Sequence, residues 1–158
     1  MKKKMKKKIK NVSASEEKLV KKKIYRLNKY QKLWIDTLLS GKTRKCKDSL
    51  SSLDGKSNCC LGVAIKVCGL EKLPSLTERS KSYLSENCSE ETLKDFPLTY
   101  KALKLKDESG FFSKESLKGI TDDDLPIMSD LTSLNDDTKM THAEIGKFIN
   151  ENREAVFK

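Results

Sequence analysis

Residues 60–68 read CLGVAIKVC, apolar at every position except Lys66, and Gly69 follows. A helix of that composition is hydrophobic almost all the way round, so it belongs at the centre of a fold. Asn58 stands where a cap is needed for a helix beginning at Cys59, and Gly69 can supply the left-handed residue that ends it. The β-branched Val63, Ile65 and Val67 leave a strand beginning near Val63 as the rival assignment, because a short apolar run has no decisive period. Gly62 permits close packing against a neighbour, for which the helix carrying Trp34 is the candidate.

The remaining elements must cover this segment. Ser13 with Glu16 forms a capping box, followed by Val20, Ile24, Leu27, Trp34 and Leu38 at helical spacing. The amphipathic part is clearest over 27–40 and Gly41 ends it; the lysines at 21–23 predict a helix that frays toward the N-terminus. Near the other end, Thr141 and Glu144 make a capping box, and Ile145, Phe148, Ile149 and Asn152 mark one face of a helix to about Ala155. Leu131, Leu134 and Asn135-Asp136-Asp137 predict a short helix and a tight turn before it. Between these lie weaker signals: a capping box at Ser75 and Glu78, a short helix from Phe96-Pro97 through Leu103 and Leu105, a turn at Gly110 entering a small strand or hairpin, and a solvated acidic turn at 122–124. The aspartates there lack the spacing of a calcium loop.

The charge is unevenly placed. Residues 1–26 carry twelve basic side chains against Glu16 and Glu17, which is the whole formal net charge of +10; residues 27–158 are balanced. With 158 residues, 36% hydrophobic and 35% charged, the expected architecture is a disordered lysine-rich tail over 1–12 and one domain over 13–158. Its expected fold class is mainly α with a small β hairpin, and α+β is the alternative. The lysines at 2–10 suit non-specific binding of nucleic acid by counterion release, although like-charge blocks are commonly just solvated tails. No apolar segment of secretory-signal or membrane-spanning length is present, which predicts a cytoplasmic protein with no membrane partner. Cys46, Cys59, Cys60, Cys68 and Cys88 are then expected to be thiols. None has C-x2-C spacing, and the single histidine, His142, is remote, so neither a metal nor a cofactor is expected.

Two constellations carry candidate chemistry. The polar loop 41–58 holds Lys42, Arg44, Lys45, Lys47 and Lys56 beside the start of the cysteine helix, where oriented amides can receive a phosphate or carboxylate. The candidate ligand-binding residues are Lys42, Arg44, Lys45, Lys56, Asn58, Cys59, Asn135 and Asp136; the bland alternative is a flexible charged loop. The second constellation is enzymatic. A cysteine at a helix N-terminus is exposed to the positive end of the dipole, which favours thiolate. Cys59 or Cys60 would be the nucleophile, His142 the base, and Asn135 or Asp136 its orienter, an order that superficially resembles papain-like cysteine peptidases. Against it, a buried structural thiol is the commoner role, and the place of His142 at the start of a capped helix suits an exposed side chain.

Three blocks carry a wider resemblance: WIDTLLSG at 34–41, CCLGVA at 59–64 and LTSLNDDTKMTHAEIGKFI at 131–149. Together, in this order, they resemble a group of small, uncharacterised bacteriophage and prophage proteins. The resemblance spans about residues 30–150 and implies a phage or prophage origin and a shared compact domain, without an activity. In that group an aromatic residue often stands where this chain has His142, and tyrosine and glutamine are common in the segment matching Lys45-Cys46-Lys47, which counts against a catalytic histidine. The expected function is a phage accessory protein that binds a host protein, an anionic small molecule or a nucleotide during infection. A cysteine-dependent hydrolase or transferase, and non-specific nucleic-acid binding through the tail, are the alternatives.

Overall fold

The computed structural model describes residues 25–52, 54–73, 93–112 and 130–158. The lysine tail, the Ser13 and Ser75 capping boxes, Leu53, Cys88 and the aspartates at 122–124 lie outside them.

Six α-helices and one two-stranded parallel sheet make up the regular structure of the described residues, so the fold is mainly α with a small β element. Helix α1 spans Lys29–Leu39. Its start differs from the expected one: Asn28 Oδ1 accepts from the amides of Tyr30 and Gln31 while Gln31 Oε1 accepts from the Asn28 amide, a complete capping box. Gly41 follows with φ of 64°, the left-handed end that its position predicted.

Strand β1 is Arg44–Lys45 and β2 is Ser57–Asn58, paired in parallel as Arg44 with Ser57 and Lys45 with Asn58. Segment 41–58 is therefore pinned by a sheet where a loop was expected; of the strand or hairpin expected after Gly110, only Phe111 and Phe112 are among the described residues, and neither is in a strand. There, the Asp107 carboxylate takes the amides of Ser109 and Phe111 and folds the chain into a turn.

Helix α2, Cys60–Cys68, is the predicted central helix and not a strand. It begins one residue later than expected, because Cys59 rather than Asn58 is the N-cap and accepts the Gly62 amide on its sulfur at 3.3 Å. Gly69 ends it at φ of 62°. The 3-10 turn Leu93–Asp95 leads into α3, Pro97–Leu103, whose first amides are capped by the Glu71 carboxylate: Oε1 takes Leu98 N and Oε2 takes Thr99 N. Helix α4 is Leu131–Asp136, capped by Asp130. Helix α5, His142–Glu151, opens on the predicted Thr141–Glu144 box. Asn152 ends it early by donating its side-chain amide to the Phe148 carbonyl, and α6 is the short continuation Arg153–Val156.

Helix α1 packs against both α5 and α2, and α2 packs in turn against α4. Trp34 is fully buried between them, its indole N–H donating to the Cys60 carbonyl at 2.8 Å. That bond satisfies the one polar atom of the largest core side chain. Phe157 meets the Trp34 ring edge-on, and Tyr25 stacks on Phe157. The core is thus built around the apolar helix read from the sequence; Leu50 of segment 41–58 enters it, while Lys42, Arg44, Lys47 and Lys56 of that segment are exposed.

Candidate functional site

Thr43, just ahead of β1, is the wall shared by two clefts. One, of about 660 Å³, opens between β1 and the start of α5 and is lined by Thr43, Lys45, Lys47, Lys139, Met140 and His142 among others. The second, of about 430 Å³, lies between β1, the turn at 54–58 and α2; its lining includes Lys42, Arg44, Lys56, Asn58, Val63 and Lys66. Both volumes fall in the range of small-molecule pockets. Seven cationic side chains line the two clefts and no carboxylate does, although residues 27–158 are electrically balanced.

The cations are not equivalent. Lys45 is already engaged: its ammonium donates to the carbonyls of Thr138 and Met140, both at 2.9 Å. Burial, and then the neighbouring Lys47, push its pKa below the ordinary lysine value. It ties β1 to the turn before α5, with two of its three N–H donors already taken. In the second cleft Lys56 is within 3.9 Å of Asp54, both well exposed, a contact worth little. Lys66 donates to the Gly55 carbonyl. Among the described residues Lys42 and Arg44 have no acidic partner.

His142 is 2% exposed, which corrects the expectation of a surface histidine. Its Nδ1 pairs with the Thr43 hydroxyl at 2.6 Å, while Nε2 is buried with no hydrogen-bond partner. Burial, then the charge of Lys45, hold its pKa below the usual histidine value; backbone groups of Thr43 and Asn58 offset part of this. The ring is neutral and works as a packed spacer between β1 and α5. Asn135 is equally internal. Its Oδ1 accepts from the Cys60 amide at 3.2 Å, and its Nδ2 donates to the Cys46 carbonyl at 2.8 Å and to Asp136. Asp136 in turn accepts the Asp48 amide.

The candidate nucleophiles are enclosed. Cys59 is 2% exposed and Cys60 fully buried, with the Cys60 thiol donating to the Leu131 carbonyl. Desolvation dominates the helix-terminal amides, so the Cys59 thiol is pushed up to about 12 and that of Cys60 well above its ordinary value. The expected dipole-favoured thiolate does not form because burial disfavours the charged form more than two amides favour it. No hydrogen bond joins either thiol to His142, nor His142 to Asn135. The start of α2 is also closed to an anion: Leu50 O takes the Cys59 amide, Asn135 the Cys60 amide and Cys59 Sγ the Gly62 amide.

Of the residues singled out in the sequence, Lys42, Arg44, Lys56 and Asn58 come together in the smaller cleft, and Lys45 and His142 face the larger. Cys59, Cys60, Asn135 and Asp136 line neither. Lys66, Val63 and Val67 were not picked out as site residues; the signal for them was present, since Lys66 is the one charge in CLGVAIKVC and marks the open face of that helix. Lys139 and Met140 had no local signal. Among the described residues no group of three His, Cys, Asp or Glu side chains could hold a metal ion, and no helix is long and apolar enough to cross a membrane. Comparison with protein families, curated proteins and solved structures gives no match, so the site is to be read from its own chemistry.

Proposed function

We propose that this chain is a phage accessory protein that binds a small, multiply charged phosphate-type anion in the cleft between β1, the turn at 54–58 and α2. The observation that carries this reading is the convergence of Lys42, Arg44, Lys56 and Lys66 on one concave site with no carboxylate in its lining. Such a site raises the local potential and concentrates anions, and an arginine in it can bind phosphate oxygens in a bidentate manner. The phage origin rests on the three sequence blocks at 34–41, 59–64 and 131–149. The cysteine-dependent reading finds no support in thiols that are buried, raised in pKa and without a histidine contact.

The test is isothermal titration of the full chain with pyrophosphate at low salt, alongside native mass spectrometry of protein recovered from infected cells. Pyrophosphate binds the wild type, and the Lys42→Glu/Arg44→Glu double variant binds at least ten-fold more weakly. Lys147→Glu, a charge reversal at an exposed position lining neither cleft, leaves binding within two-fold. Loss of equal size in both variants would reduce the site to general electrostatics and overturn the proposal.

A further inference from the structure

The cation-lined surface runs past the smaller cleft. Thr43 lines both clefts, so the ridge between them is a single residue wide. Side chains of an extended segment alternate between its two sides, and that is the distribution found: Lys42 and Arg44 line the smaller cleft, Lys45 and Lys47 the larger. Lys139 joins Lys47 from the turn before α5, while Lys56 and Lys66 complete the smaller cleft. Apart from Lys45, which is held on two carbonyls, all of these cations are exposed. Among the described residues no carboxylate in either lining interrupts them. Exposed cations on both sides of a one-residue ridge are more than a single compact anion can use.

We propose that the natural ligand is an extended chain of phosphates that crosses the ridge at Thr43, one stretch on Lys42, Arg44, Lys56 and Lys66 and the next on Lys47 and Lys139. This rests on the anion-binding reading of the smaller cleft and names its ligand class. The backbone from Lys42 to Lys47 is at most about 18 Å long, so a chain of several phosphates reaches from one cleft to the other, while pyrophosphate occupies one at a time. Every contact is made by an exposed ammonium or guanidinium group, and such groups hold phosphate oxygens without reading what else the chain carries. Asn58 Oδ1 and His142 Nε2, buried without a hydrogen-bond partner, are closed to the chain and take no part. Inorganic polyphosphate and the backbone of a nucleic acid strand share this chemistry.

The experiment titrates the full chain, in about 0.15 M salt, with pyrophosphate, polyphosphate of about fifteen phosphates, oligothymidylate of about ten nucleotides, and oligoglutamate matched in charge to the polyphosphate. At least one phosphate chain is expected to bind ten-fold or more tightly than pyrophosphate after allowance for its larger number of binding registers, and the tighter of the two names the source. Oligoglutamate is expected to bind at least ten-fold more weakly than polyphosphate; equal binding would overturn the phosphate assignment. Lys47→Gln/Lys139→Gln removes two phosphate contacts without adding charge. It should weaken the phosphate chain about ten-fold, lower the slope of log affinity against log salt by about 1–2, and leave pyrophosphate within two-fold. Lys101→Gln/Lys147→Gln, equal in charge change at exposed positions lining neither cleft, should leave the phosphate chain within two-fold. The lysine tail is common to all variants and cancels in these comparisons. Equal losses in the two double variants, or phosphate chains no tighter than pyrophosphate, would overturn the crossing while leaving the anion site standing. Absence of binding by pyrophosphate and the phosphate chains alike would overturn both.

Discussion

A Cβ placed on Gly62 would lie 1.7 Å from the carbonyl oxygen of Leu50. The N-terminal turn of α2 and the segment behind β1 are thus in direct backbone contact, and only glycine allows it. Helix propensity alone would make Gly62→Ala stabilising by about 1 kcal/mol. The contact is with backbone and cannot be relieved by a rotamer change, so overpacking costs more than propensity returns. We expect a net loss of about 2 kcal/mol or more, read as a fall in Tm of about 4–8 °C; an unchanged or raised Tm would contradict the packing described.

Asn135 closes a three-way clasp by joining α4 to the start of α2 and to the residue after β1. Asn135→Leu leaves the Cys60 amide and the Cys46 carbonyl without their partner. Each such loss costs about 1–3 kcal/mol when no water replaces the partner. The expected effect is a destabilisation of about 2–4 kcal/mol in urea unfolding, with far-UV circular dichroism preserved. A change below about 0.5 kcal/mol would show that the clasp carries no weight.

His142 has a folded-state pKa below its ordinary value of 6.5, so between the folded pKa and about 6.5 the unfolded chain binds the extra proton. Stability is then complete above about pH 6.5 and falls as pH drops through that window. Protonation would set a second cation beside Lys45, whose ammonium is fixed on the carbonyls of Thr138 and Met140; Glu144, on the first turn of the same helix, is bound to Thr141 and screens little of it. His142→Asn should flatten the decline of Tm between pH 7 and 5 relative to wild type. Parallel profiles would remove His142 as its source.

Cys59 and Cys60 should resist iodoacetamide at pH 7.5 in the native protein and react fully in urea, with the half-buried Cys46 and Cys68 labelling before them. Because the unfolded thiol ionises near 9 and folded Cys59 only near 12, stability should also fall as pH rises above about 9. Rapid native labelling of Cys59, mapped by peptide mass spectrometry, would reopen the nucleophile reading.

Wherever a single segment holds all the information, the sequence was enough. CLGVAIKVC is apolar on every side and must be central whatever surrounds it, and Thr141 with Glu144 caps α5 within four residues. The start of α1 was harder, because Ser13-x-x-Glu16 and Asn28-x-x-Gln31 are both capping boxes and local chemistry does not rank them. Pairing of β1 with β2 involves two polar residues on each side, too few for an alternating pattern, and depends on partners thirteen residues apart. The cap at Cys59 slipped by one residue since a sulfur is a weak acceptor that sequence rules place below asparagine. Three of the four anion-facing cations were legible from charge alone, at Lys42, Arg44 and Lys56. What sequence could not show is which cations are consumed internally, as Lys45 is, or that α2 would bring Lys66 and two valines to the same wall.

The clasp at Asn135 also has a consequence in time. It holds Cys60 and Cys46 from positions 75 and 89 residues further along the chain. At synthesis rates of about 5–20 residues per second, Cys46 leaves the ribosome's catalytic centre roughly 4–18 seconds before Asn135 is added. Through that interval the basic segment 41–58 and the capping end of α2 must wait without the side chain that joins them. The nascent chain therefore carries its exposed lysines and two thiols, unclasped, for longer than most small domains take to fold.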